Sequence, residues 1–413
     1  MVSVCLYFQV HQPYRLREFS IFDINNNQKY FSEIENAKTN NKEIIQRVAK
    51  KCYIPTTKIL IELIKKYPDF KITFSFSGLV LEQLEKYSPE SIELFKELVA
   101  TGKVEILEET YYHSLASIYS KGEFKTQVKM HRDLIKKIFN VEPRVFRNTE
   151  LIYNNKIAQD IEAFGYGGII AEGATKTLGW RSPNFLYRPS STSKIKLLLK
   201  NYRLSDDVAF RFSEHSWSEW PLTADKYAKW IDSINGEGKI VNLFMDYETF
   251  GEHQWEESGI LEFLKYLPRE ILKNPENNFK TPSEIIDSYS TLATYDTENL
   301  TSWADLERDT SAWTGNEMQQ DALQKLYGLS IKVLSTKNKE LIDTWRKLQT
   351  SDHFYYMSTK YFSDGQVHKY FSPYESPYEA FITFMNVLQD FESKVDKAVE
   401  DKKLQPSPNN IYK

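Results

Sequence analysis

Two acids stand where apolar runs stop. Glu150 closes "RVFRNTE", and Asp246 follows "KIVNLFM". Arg147 and Asn148 precede Glu150. A carboxylate near a cation and amide donors stays ionised, as a nucleophile must. An acid emerging from an apolar strand has its pKa raised by desolvation, which suits a general acid at neutral pH. Two carboxylates on different strands could cleave a glycosidic bond, one protonating the leaving oxygen. A separation of roughly 5 Å gives retention through a covalent intermediate, and a wider gap gives inversion. From the residues alone, each acid also has an ordinary reading as a strand-end or structural acid.

Further polar groups cluster near these two. Glu248, Glu252, His253 and Trp255 follow Asp246 within nine positions. His11 and Gln12 precede Pro13 at the end of the first apolar run. Glu82 and Gln83 follow Gly78, and Glu109, Tyr111, Tyr112 and His113 close a third run. The span 302–316 holds Trp303, Glu307, Arg308, Asp309 and Trp313. Two tryptophans flanking an acid–arginine cluster suit carbohydrate: aromatic faces stack on sugar rings, and the charged groups bond hydroxyls. The structural alternative is a helix start with buried tryptophans. Histidines occur at 11, 113, 131, 215, 253, 353 and 368, and none forms an HxxxH pair. That argues against a metal-dependent deacetylase, which needs an aspartate with two histidine ligands, and no metal or cofactor is expected.

The acids need a scaffold, and the apolar runs supply one. Seven are strand-like: "VSVCLYFQV", "KITFSFS", "KVEILEE", "RVFRNTE", "GGIIAEG", "KIKLLLK" and "KIVNLFM". Near-continuous apolar strands read as buried parallel strands. Helical patterns separate many of them. "NKEIIQRVAKKC" and "TTKILIELIKKY" are divided by Pro55, which should end the first helix or kink the pair. "SPESIELFKELVATG" places Ser88 as N-cap, Pro89 at the first helical position and Gly102 past the end. The alternation implies an α/β fold with a parallel sheet, either an incomplete (β/α)8 barrel or an open doubly wound sheet. In both, functional residues gather at the carboxyl ends of the strands. His11, Gly78, Glu109, Glu150, Glu172 and Asp246 would face one rim.

Past about residue 290, three helical patterns follow with no convincing strand, and "LQPSPNNIYK" reads as a frayed tail. The expected division is a catalytic region over 1–290 and a helical region over 291–413. The chain has 413 residues with 41% hydrophobic and 27% charged, enough for a sizeable core. With a net charge of −4 there is no basic excess, so nucleic acid is a poor default partner. No apolar run reaches the roughly 18 residues of a membrane span. The N-terminus lacks the basic region and cleavage site of a signal peptide, and two cysteines fit a reducing, cytoplasmic setting. Oligomeric state is not readable from these features.

Five segments, in order, resemble the signature regions of glycoside hydrolase family 57, the α-amylase-type branch. They are "HQP" at 11–13, "GLVLEQ" at 78–83, "FRNTEL" at 146–151, "MDYETFGEH" at 245–253 and "WADLERDTSAWTGN" at 303–316. The resemblance implies an incomplete (β/α)7 barrel followed by a helical bundle that contributes to the substrate cleft. It implies retaining cleavage of α-1,4-glucosidic bonds in α-glucans or maltooligosaccharides, without a required metal. It maps the nucleophile to Glu150 and the acid/base to Asp246. Substrate contacts would come from His11, Gln12, Glu82, His253, Trp255, Trp303, Asp309 and Trp313. A 4-α-glucanotransferase or branching-type transglycosylase would use the same pair. A non-catalytic glucan-binding protein would not need both acids.

Overall fold

The computed structural model of the protein describes residues 1–192, 194–362 and 365–404. Beyond Leu404, the segment read as a tail lies outside the described residues. The chain folds as two compact units. The first takes residues 1–12, 44–111 and 122–309; the second takes 13–43, 112–121 and 310–413.

Among the described residues, ten strands lie in the first unit. They are β1 (Val2–Val10), β2 (Ile72–Phe76), β3 (Val104–Ile106), β4 (Val145–Arg147) and β5 (Gly168–Glu172), then β6 (Leu186–Pro189), β7 (Lys196–Lys200), β8 (Ile240–Asp246), β9 (Asn277–Phe279) and β10 (Ala293–Tyr295). All seven apolar runs are strands. The three that sequence patterning missed, β6, β9 and β10, have three or four residues and lie in no continuous apolar run.

Two five-stranded sheets result. One runs β3-β2-β1-β8, with β9 also on β1; the other runs β10-β6-β7-β5-β4. Every pairing is parallel except β6 with β7. These ladders do not join into one continuous ring among the described residues, so a closed barrel is not what the strand pairing itself displays. Two local bonds approach it. Glu108, just past β3, bonds Val145 and Arg147 of β4 at 3.0 and 2.7 Å, and Asn201, just past β7, donates to the Asn242 carbonyl of β8 at 2.9 Å.

The period of two along β1 sorts its side chains. Val2, Val4, Leu6, Phe8 and Val10 join a large helix-covered core with Leu60, Phe74, Phe95 and Leu264. Cys5 and Tyr7 face the other way, into a cluster with Leu107, Leu198 and Phe244. Both faces are buried, which is why the strand reads as continuously apolar. Cys5 and Cys52 are buried free thiols.

Pro55 neither ends nor sharply breaks its helix. The helix Asn41–Val48 passes through a π-helical turn, Ala49–Tyr53, into Ile54–Lys66. Pro55 then sits in the first turn of a new segment, where its missing N–H costs little. Pro89 does open the helix Pro89–Ala100. Ser88 Oγ pairs with Ser91 Oγ at 2.9 Å and makes no side-chain bond to the helix backbone.

In the second unit the helical patterns divide. The first becomes Glu317–Gly328 and Ser330–Thr336, the second Lys339–Lys347 and Ser351–Tyr355, and the third is a single helix, Pro377–Leu404. Segment 13–43 is tied to that last helix. Tyr30 Oη donates to Asp390 Oδ2 at 2.6 Å, and Asn386 Nδ2 donates to the Phe19 carbonyl at 3.1 Å. No helix among the described residues is long and apolar enough to cross a membrane.

Candidate active site

A few residues past the three-residue strand β4 the chain turns, and it does so under strain. Glu150 and Leu151 both adopt left-handed backbone, with φ of 56° and 51°. Such a conformation costs an L-residue roughly 1–2 kcal/mol. The turn is held by Leu151 N–H to the Asn148 carbonyl at 3.0 Å and Ile152 N–H to the Thr149 carbonyl at 2.9 Å. The Asn148 side-chain amide donates to the Ile152 carbonyl at 2.8 Å, so it builds the turn.

Trp303 holds the Glu150 carboxylate. Its indole Nε1–H donates to Glu150 Oε2 at 2.8 Å, and its backbone N–H reaches the Glu150 carbonyl at 3.3 Å. The indole ring is flanked by cations, the Arg147 guanidinium at 5.2 Å and Lys200 Nζ at 5.3 Å from its centroid. Arg147 is fully buried and lies 3.8 Å from Glu109. The cation beside the candidate nucleophile therefore acts in part through an aromatic face.

Asp246 ends β8 opposite Gln9 of β1 and is half-buried. Gln9 anchors a buried polar chain. It accepts from Tyr7 Oη at 2.8 Å and Ser75 Oγ at 2.9 Å, and donates to Glu109 Oε1 at 3.1 Å. Two positions past Asp246, Glu248 is buried and accepts a hydrogen bond from Tyr53 Oη. Desolvation, then the charge of Asp246, push its carboxyl up to about 8, so it is neutral at pH 7. Among the acids near Asp246, Glu248 is thus a buried structural partner. Glu252 pairs instead with Arg47 at 3.0 Å and Lys51 at 3.9 Å.

The remaining sequence-derived candidates fall as follows. His11 Nδ1 shares a 2.7 Å hydrogen bond with Ser77 Oγ. The Gln12 carbonyl accepts from Gln83 Nε2 at 2.8 Å. Glu82 accepts from Tyr111 Oη at 2.7 Å, and Tyr111 packs so closely on Gly78 that a Cβ there would lie 2.5 Å from its ring. His253 is half-buried, and desolvation presses its imidazole down to about 4, leaving it neutral. Trp255 is 61% exposed, its ring facing Lys51 Nζ at 5.7 Å. The Asp309 carbonyl accepts from Ser302 Oγ. Trp313 lies in the second unit, buried to 1% against Tyr355 at 6.2 Å. Of the aromatic candidates, Trp303 is the one brought onto a catalytic candidate.

Sequence reasoning did not single out Lys200 or Asp206. Lys200 ends β7, and Asp206 lies in the helix Tyr202–Ala209. Their only advance signal is that Lys200 ends an apolar run, as Glu150 and Asp246 do.

Comparison with known proteins gives four findings. The family model described as glycosyl hydrolase family 57 matches residues 5–301. A protein of Methanocaldococcus jannaschii named "Putative alpha-amylase" is 47% identical over 93% of this chain and 83% of its own length. An "Alpha-amylase" of Pyrococcus furiosus is 22% identical over 60% of this chain, and the match spans only 37% of that longer protein. Among solved structures, a branching enzyme from Thermococcus kodakaraensis superposes with a TM-score of 0.70 at 14% identity, over 98% of this chain and 92% of its own.

Proposed function

The chain belongs to glycosyl hydrolase family 57, and on that premise we propose that it cleaves α-1,4-glucosidic bonds of α-glucans or maltooligosaccharides with retention of configuration. Glu150 attacks the anomeric carbon and forms a glycosyl ester. Asp246 gives its proton to the departing glycosidic oxygen. Asp246 then takes a proton from water, and that water displaces Glu150, returning both carboxyls to their starting states.

The single observation carrying this reading is the seat of Glu150. A strained turn at the end of β4 presents its carboxylate, and the Trp303 N–H fixes one oxygen without neutralising it. Glu248, neutral at pH 7, adds no negative charge beside Asp246. We also infer that the two sheets are halves of an incomplete (β/α)7 barrel, with β1, β2, β3, β4, β5, β7 and β8 as its staves. The bonds from Glu108 to β4 and from Asn201 to β8 support that reading.

The test is chemical rescue. Glu150→Ala should lose turnover by roughly 10³-fold or more. Azide should restore it, releasing a glycosyl azide of inverted configuration. Activity retained in Glu150→Ala without an azide product removes Glu150 from the nucleophile role. A second reading, transglycosylation by the same pair, draws on the likeness to the Thermococcus kodakaraensis branching enzyme over 98% of the chain.

A further inference from the structure

Four charged side chains form a closed set behind Trp303. Glu172, the last residue of β5, is fully buried; neither carboxylate oxygen makes a hydrogen bond of ordinary geometry, and the Gly173 backbone N–H is the hydrogen-bonding group beside it. Lys200 and Arg308 stand 3.9 and 3.8 Å from it. Both cations also bind Asp206, at 2.8 and 2.9 Å. With both acids ionised the set is neutral. With one protonated it carries a net positive charge.

The two cations also grip Trp303. Lys200 Nζ lies over its ring, and Arg308 donates to its carbonyl. The same indole holds Glu150 Oε2. A continuous physical path therefore runs from Glu172 through two shared cations and one indole to the candidate nucleophile. An ordinary structural ion pair would place the acid within hydrogen-bond reach of its cations. Glu172 is fully buried yet held beyond that reach.

We propose that Glu172 is a positioning residue whose protonation sets the charge around Trp303 and, through its indole N–H, the placement and basicity of the Glu150 carboxylate. This rests on the reading of Glu150 as nucleophile. Desolvation pushes the Glu172 carboxyl up to about 7, against the opposing pull of Lys200 and Arg308. Burial also opposes the Asp206 charge, but the same two cations outweigh it and hold Asp206 below the usual carboxylate range. Asp206 therefore stays charged while Glu172 titrates. The other groups facing the set are Tyr202, whose ring lies 5.0 Å from the Arg308 guanidinium, Tyr295, whose hydroxyl donates to the Glu172 carbonyl at 3.3 Å, and Arg147 on the Trp303 ring. Below neutral pH the extra positive charge favours ionised Glu150; above it the set is neutral and Glu150 is the stronger base.

The experiment labels the full chain with 5-fluorotryptophan and follows the Trp303 fluorine resonance from pH 5.5 to 8.5, assigned by its loss in Trp303→Phe. The wild type should titrate with a midpoint about pH 7, and Glu172→Gln should be flat. A flat wild-type resonance, or the same midpoint in Glu172→Gln, overturns the proposal. The wild-type arm stands even if the variant does not fold. A second arm measures kcat on maltoheptaose against pH. Its inflection near pH 7 should vanish in Glu172→Gln while KM stays within about two-fold; persistence of the inflection in the variant overturns the coupling to Glu150. A resonance that titrates in a protein turning over no α-glucan leaves Glu172 coupled to Trp303 and rejects the glucan reading instead.

Discussion

Trp303 is the residue whose side chain most directly conditions Glu150. Replacing it by phenylalanine keeps an aromatic ring between Arg147 and Lys200 but deletes the N–H that reaches Glu150 Oε2. A hydrogen bond to a charged group contributes about 1.5–3 kcal/mol. We therefore expect Trp303→Phe to lower kcat/KM roughly 10–100-fold with little change in melting temperature, as steady-state kinetics beside a thermal melt would register. Glu248 makes a different prediction. Its folded pKa of about 8 lies above that of an unfolded glutamate, about 4.3. Its contribution to stability is then fully present below the unfolded value and is lost as pH rises through 8. Thermal melts of the wild type should fall between pH 5 and pH 8.5, and Glu248→Gln should fall less. A variant with the wild-type slope would show that Glu248 is ionised in the folded protein.

The loop after β8 shows what an element demands of its residues. Gly251 has φ of 118°, and a Cβ there would lie 2.1 Å from the Lys51 carbonyl oxygen. Gly102 also has positive φ, 72°, but nothing lies within 4 Å. Both strain and overlap act at the first, and strain alone at the second. Gly251→Ala should cost about 2–4 kcal/mol and Gly102→Ala about 1 kcal/mol in urea unfolding. Equal losses would mean that the Lys51 backbone yields easily. The seven strands read from the sequence were legible because each lies within an apolar run, most of them buried on both faces. The π-helical turn before Ile54 was not legible, because it answers to packing around Cys52 and Tyr53, both buried, rather than to local propensity.

At the scale of the whole molecule, the second unit gathers segments far apart in the chain. Segment 13–43 rests on a helix more than 330 positions later, and Asp390 is the fully buried acceptor for Tyr30 Oη and the Asn25 N–H. Asp390→Ala should destabilise this unit by about 2–4 kcal/mol and open 13–43 to limited proteolysis. Unchanged protection would assign the segment's anchoring to its apolar contacts instead. The balance between water and a sugar hydroxyl as acceptor is likewise a property of the assembled molecule. Incubation with maltoheptaose should yield shorter chains with a matching rise in reducing ends. Redistributed lengths without that rise would identify a transferase.

Residue type and order alone determined the α/β class, seven of the strands and two acids at strand ends. Each of those follows from local chemistry: apolar runs must be buried, and the polar residue ending one is left at a rim. Five ordered motifs carried the family. Only the tertiary structure decided that Trp303, 153 positions beyond Glu150, donates to it, that Glu248 is a buried neutral acid, and that Glu172, Lys200, Asp206 and Arg308 share one set. These are contacts between distant strands and loops, and both their strength and their effect on pKa depend on distance and desolvation, which exist only once the chain has closed on itself.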